Sequence, residues 1–155
     1  MLNEDYREML QALSDEKVRF ILVGAYALAA HGYPRATMDI DIWVKPSPDN
    51  AEAVLRALRN FGASLHDLTK EDLQEEGTIF QIGVAPRRID IITAASGLQF
   101  ENAYQNSILV NIEGIGVRIP SVGDLIVNKK ATGRTKDFAD AEALESLRTP
   151  NSDIE

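Results

Sequence analysis

Apolar positions recur along this chain with two periods, and the switches between them predict its elements. Tyr6, Met9, Leu10 and Leu13 share one face of a helix over residues 3–16. Residues 18–23 are apolar except for Arg19 and read as a short buried strand. Gly24 follows at once, then Ala25-Tyr26-Ala27-Leu28-Ala29-Ala30-His31, a strong helix former. Gly32 is placed to end that helix in a left-handed conformation, and Pro34 blocks its resumption. From Thr37 to Val44 the period becomes two. Met38, Ile40, Ile42 and Val44 take one face, and Thr37, Asp39, Asp41 and Trp43 the other. Pro46-Ser47-Pro48-Asp49 is a turn and helix start, and Ala53, Leu55 and Leu58 mark a helix over residues 49–60, closed by Phe61-Gly62.

The second half alternates hairpins and helices. Residues 63–76 suggest a short strand and then an acidic turn or helix. Residues 78–83 and 87–93 read as strands joined by Val84-Ala85-Pro86, a hairpin. A short helix is expected over 98–105. Strands at 108–112 and 117–119 flank Glu113-Gly114-Ile115-Gly116, a second hairpin. Ser121 is placed to cap a helix, with Asp124 as an imperfect capping box and Gly133 as its stop. Thr135 would cap a last helix through about Leu147. The order gives a mixed α+β domain over residues 1–148, with a disordered tail at 149–155, and not a regular βαβ winding.

Composition narrows the class. The 155 residues are 45% hydrophobic and 26% charged, ordinary for a folded domain, with no apolar run of membrane-spanning length. The opening Met-Leu-Asn-Glu-Asp-Tyr has neither the basic nor the apolar region of a signal peptide. The lack of cysteine excludes disulfides and thiolate metal sites and fits a cytoplasmic setting. A net charge of −8 argues against a grip on extended duplex DNA. The charge is uneven, however. Arg118, Lys129, Lys130, Arg134 and Lys136 face a single Asp124 within residues 115–136, which suits a small anionic ligand. Two histidines so far apart as His31 and His66 make no zinc site.

The candidate chemistry lies in the carboxylates. Asp39 and Asp41 share a strand face about 7 Å apart along the chain and repel unless a cation sits between them. Taken alone, the pair reads first as a half-exposed strand with a solvated acidic face. Asp90 lies mid-strand, on the face of Arg88 and Ile92 and opposite Ile89 and Ile91. An ion pair with Arg87 or Arg88 is its plain explanation, though both are close in sequence and Arg87 would point to the other face. If the two strands pair, three carboxylates converge. Such a donor set suits Mg²⁺ or Mn²⁺ beside phosphates, and two ions about 3.5–4 Å apart can clamp a phosphoryl transfer. Gly24, between a strand and a helix, leaves backbone N–H groups free for an anion. Neither a Walker A pattern nor G-x-G-x-x-G is present.

The joint pattern resembles the nucleotidyltransferase superfamily. The matching residues are Val23-Gly24-Ala25-Tyr26-Ala27-Leu28-Ala29-Ala30-His31-Gly32, then Arg35-Ala36-Thr37-x-Asp39-Ile40-Asp41, then Arg88-Ile89-Asp90. Lys129-x-Ala131-x-x-Arg134-x-x-Asp137-x-x-Asp140 is similar to the C-terminal motif of its abortive-infection (AbiEii-like) toxin branch. The resemblance implies a polymerase-beta-like mixed sheet flanked by helices, with further helices at the C-terminus. It also implies metal-dependent transfer of a nucleoside monophosphate from an NTP to a hydroxyl. Asp39, Asp41 and Asp90 would hold the metal, and Asp90 would help deprotonate the acceptor. Gly24 and the amides from Ala25 onward would bind phosphates, and Arg35 and Thr37 would support the loop before the strand. Lys129, with Lys130 as its neighbouring substitute, would neutralise phosphate charge, and Arg134, Asp137 and Asp140 would position that lysine or the acceptor. RNA, a protein or a small molecule is the expected acceptor, and a cognate toxin or antitoxin the expected partner. Ala25 replaces the Ser or Gly of many active members and motivates a second reading, a non-catalytic nucleotide sensor or antitoxin-like binding partner. A sugar-nucleotide glycosyltransferase also uses Asp-x-Asp with a metal, but its nucleotide-binding domain is usually larger than this chain and needs neither Asp90 nor the lysine motif.

Overall fold

A computed structural model describes residues 2–33, 39–84 and 87–148, with the side chains of 147 and 148 excepted. Arg35, Thr37, the turn residues Ala85 and Pro86, and the tail from 149 lie outside the described residues. Helix α1 (Glu4–Asp15) starts where Asn3 Oδ1 accepts from Tyr6 N at 2.9 Å, which satisfies one of the orphan amides of the first turn. Strand β1 (Phe20–Val23) follows, beginning after Arg19 and not at Val18. Helix α2 (Ala25–Ala30) ends at Gly32, φ +89°, whose neighbour Tyr33 N returns to Leu28 O at 3.0 Å. Strand β2 (Ile40–Val44) and helix α3 (Pro48–Phe61) come next.

Residues 63–76 form no strand; a single 3₁₀ turn covers Asp72–Gln74. Thr69 and Asp72 explain it, since each side chain accepts from the other's backbone amide (3.0 and 3.1 Å), a local closure that competes with sheet pairing. Strands β3 (Ile79–Ile82) and β4 (Ile89–Ile92) pair antiparallel, as the hairpin pattern predicted. Helix α4 (Phe100–Asn106) leads to strands β5 (Ile108–Ile112) and β6 (Ile115–Ile119). Their turn is only Glu113-Gly114, both with positive φ, so Ile115 and Gly116 belong to the strand and not to the connection. Helix α5 (Val122–Thr132) is capped by Ser121 Oγ, which accepts from Asp124 N at 3.1 Å, and stops at Gly133, φ +75°. The reciprocal half of the capping box is absent because the Asp124 carboxylate accepts from Asn106 Nδ2 instead. Helix α6 (Thr135–Arg148) contains Thr135 as its first residue rather than its cap.

The main sheet has the order β1-β2-β4-β3, with β2 and β4 parallel and the outer pairs antiparallel; β5 and β6 form a second, two-stranded sheet. One face of the main sheet carries Leu22, Ile40, Ile42, Val44, Ile89 and Ile91 into the larger core, against α1, α3 and β6. Each such buried aliphatic side chain contributes about 1.5–3 kcal/mol. The other face has its own small core. Ile21, Val23 and Trp43 meet Phe100 and Ala103 of α4, and Trp43 and Phe100 cross edge to face at 5.2 Å. The β2 face expected to be acidic is therefore apolar at its Trp43 end and carboxylate-bearing only at the Asp39–Asp41 end. Apolar packing on both faces holds the β2–β4 pairing in one register, and that register sets the site.

Candidate active site

Asp41 and Asp90 lie directly opposite each other across the parallel pair, on the sheet face shared with Trp43 and Ile92. On its other side Asp41 pairs with Val23, the last residue of β1, so its carboxylate lies against the Gly24 turn. A Cβ on Gly24 would stand 2.5 Å from Asp41 Oδ2, and Gly24 has φ +72°. Glycine is required there for both reasons: a side chain would strike the carboxylate and would strain the backbone. Burial pushes the Asp41 carboxyl up to about 6; the charge of Asp90, a hydrogen bond with Asp90 and the charge of Asp39 add to the effect, and Arg88 opposes it.

Arg88 is the residue that reading the sequence undervalued. Strand alternation puts it on the face of Asp90, and it binds that carboxylate in bidentate fashion, Nε to Oδ1 at 2.8 Å and Nη2 to Oδ2 at 3.1 Å. The same Nη2 stands 3.2 Å from Asp39 Oδ2, and the Arg88 amide donates to Asp39 Oδ1 at 3.4 Å. The i, i+2 spacing of Arg88 and Asp90 was the available signal. Tyr6 is a second addition. It reads as a core residue of α1, yet its hydroxyl donates to Arg88 O at 3.3 Å and its ring meets Tyr26 edge to face at 5.9 Å. Burial carries the Tyr6 phenol up to about 12, with Tyr26 and Asp39 contributing. No periodicity in the chain links Tyr6 to Arg88, 82 positions away.

The two acid-bearing strands pair, as the expected convergence of three carboxylates requires. Asp41 and Asp90 adjoin, but Asp39 is drawn to the Arg88 guanidinium, and among the described residues no three His, Cys, Asp or Glu side chains are arranged to hold a metal ion. The donor chemistry still fits a divalent cation. Two adjacent carboxylates, one with its charged form disfavoured by the other, are what such an ion relieves, and a third acid lies on the same guanidinium.

The C-terminal motif forms a second cluster. Lys129 Nζ lies 3.6 Å from Asp137 Oδ1 and 3.4 Å from Asp140 Oδ2, both acids being fully buried. Arg134 closes over Asp137, with Nε 2.7 Å from Oδ2 and Nη2 3.3 Å from Oδ1. Burial alone would raise Asp137, but hydrogen bonds from Arg134 and Thr132 and the charges of Lys129 and Arg134 outweigh it and bring the carboxyl down to about 2. Lys129 thus faces both acids, and Arg134 reaches the cluster through Asp137. Lys130 does not share this place: it points to Glu145 at 2.8 Å, both side chains about half exposed. Helix α5 is seated on the loop after β4, where Asn128 Nδ2 donates to Ser96 O at 2.9 Å. His31, at the end of α2, contacts Pro120 O through Nε2 at 2.6 Å; His66 is exposed on the surface.

A family described as "Nucleotidyltransferase of unknown function (DUF6036)" matches residues 1–149. The chain belongs to this nucleotidyltransferase family. No curated protein matches it by sequence. Among solved structures it is similar to a Thermotoga maritima protein assigned as a nucleotidyltransferase, with TM-score 0.57 and 17% identity over 96% of this chain and 93% of that one. The lincosamide antibiotic adenylyltransferase LnuA, solved with lincomycin bound, gives TM-score 0.59 and 14% identity over 95% and 98%. ANT(2'')-Ia, solved with adenylyl-2''-tobramycin, gives TM-score 0.53 and 18% identity over 92% of each chain. At these identities the likeness establishes the shared nucleotidyltransferase fold. None of the helices among the described residues is long and apolar enough to cross a membrane.

Proposed function

We propose that this protein, acting as one domain over residues 1–148, transfers a nucleoside monophosphate from an NTP to an acceptor hydroxyl and releases pyrophosphate. The observation that carries the reading is the in-register pairing of Asp41 with Asp90 beside the Gly24 turn. Asp39, Asp41 and Asp90 would hold Mg²⁺ or Mn²⁺, which supplies charge neutralisation at the transferring phosphate. The chain's own groups do the rest. The Asp90 carboxylate receives the acceptor proton, and amides after Gly24 bind phosphate oxygens. Arg35 and Thr37 support the loop before β2. Lys129, held by Asp137 and Asp140, is offered to the phosphates, and positioning together with charge neutralisation lowers the barrier.

A small-molecule hydroxyl is the acceptor best supported, because this chain spans 98% of an enzyme that adenylylates an antibiotic; RNA and protein hydroxyls are the other two. The Lys129–Asp137–Asp140 cluster supports placement beside the AbiEii-like branch, and with it a cytoplasmic toxin–antitoxin or phage-defence role. The alternative, a nucleotide sensor or antitoxin-like partner, is favoured by Ala25 and by the guanidinium already lying on Asp39 and Asp90. The deciding experiment follows label from each of four α-labelled NTPs into small molecules, RNA and protein, with Asp39→Asn/Asp41→Asn as control. Label that the double variant transfers as well as the wild type would end the catalytic reading.

A further inference from the structure

We infer that Arg88 is an exchangeable counter-cation: it occupies the carboxylate site before metal arrives and passes to a nucleotide phosphate when metal binds, so that metal binding depends on nucleotide. This rests on the proposed metal-dependent reading and adds a residue and a coupling to it. One guanidinium spans Asp90 and Asp39, with the three contacts at 2.8, 3.1 and 3.2 Å. It engages Asp39 and Asp90 at once, and among the described residues no group of three His, Cys, Asp or Glu side chains is arranged to hold a metal ion.

The backbone of Arg88 is fixed, since its carbonyl accepts from Ile40 N at 3.0 Å and from the Tyr6 hydroxyl at 3.3 Å. Exchange therefore needs only side-chain rotation, and the Arg88 side chain is 30% exposed, enough to swing. A divalent ion placed among the acids repels the guanidinium and removes its partners. The triphosphate beside that ion is the anion a forked guanidinium binds best. Ion and nucleotide thus assist each other, and the assistance is reciprocal by linkage.

Mn²⁺ affinity measured by electron paramagnetic resonance of the free ion, with and without a non-hydrolysable NTP analogue, reads this without activity. Wild type is expected to bind Mn²⁺ weakly alone and more tightly with the analogue. Arg88→Gln is expected to bind Mn²⁺ alone about tenfold more tightly than wild type, because a neighbouring positive charge is gone, and to lose most of the nucleotide-linked gain. Arg88→Lys, which keeps the charge but cannot bridge two carboxylates, should fall between them and remains informative if the Gln variant folds poorly. Equal or weaker Mn²⁺ binding by both variants, in the absence of nucleotide, overturns the exchange. No Mn²⁺ binding by any protein, with or without nucleotide, overturns the metal-dependent reading beneath it.

Discussion

Two clusters of acids and bases are built from the same residue types and reach opposite electrostatic states. At the sheet, three aspartates gather near one arginine, which contacts Asp39 and Asp90, and burial, with the charge of Asp90 adding to it, pushes Asp41 up to about 6. Between α5 and α6, two fully buried aspartates face Lys129 and Arg134, and Asp137 is carried down to about 2. The first has more negative charge than the protein neutralises and is suited to take up a cation. The second is balanced within itself, so its acids serve to fix a lysine. The proposed ligand site and the Lys129 cluster therefore differ in the ratio of opposite charges, not in which kinds of residue are present.

The comparison breaks most severely if the sheet cluster is disarmed. Asp39→Asn/Asp41→Asn should lower nucleotide transfer by at least about a thousandfold, the scale of losing main electrostatic stabilisation in a site, while thermal unfolding stays cooperative. Asp137→Ala should act on stability. Removing one partner of a buried ion pair costs about 3 kcal/mol, to be seen as a lower midpoint in urea unfolding; an unchanged midpoint would show that the cluster is no pin.

Asp41→Asn sharpens the contrast through pH. The folded-state carboxyl lies near 6 against an ordinary 3.8, so between those values the folded protein binds the proton and the unfolded chain does not. Stability contributed by the protonated acid is thus lost as pH rises from about 4 to about 6, in total on the order of 3 kcal/mol. The Asn variant should lose this slope and be more stable than wild type at pH 8 without metal, as measured by urea unfolding across that range. The smallest effect is expected at Lys130. Its pair with Glu145 is half exposed, so Lys130→Ala should change stability by no more than about 0.5 kcal/mol and leave nucleotide transfer intact, unlike Lys129→Ala.

Much of this was legible because it is local. Helix starts at Asn3 and Ser121, stops at Gly32 and Gly133, and both hairpins depend on residues within a few positions of each other, where cap and turn chemistry acts. The acids Asp39, Asp41 and Asp90 and the Lys129 motif were visible as patterns of type and spacing. Within residues 63–76 the expected short strand does not form, while the acidic turn expected after it does, closed by reciprocal Thr69–Asp72 bonds.

Sequence alone determined which residues alternate, which helices begin and end where, and which side chains bear charge, since these follow from the backbone's short-range preferences. Only the tertiary structure decided that β2 runs parallel to β4 in the register that sets Asp41 against Asp90, that Tyr6 reaches the back of Arg88, and that one guanidinium takes both Asp39 and Asp90. Those outcomes depend on two apolar cores gripping opposite faces of one sheet. Burial over many distant residues selects a single register, and the balance of charge at the site follows from it.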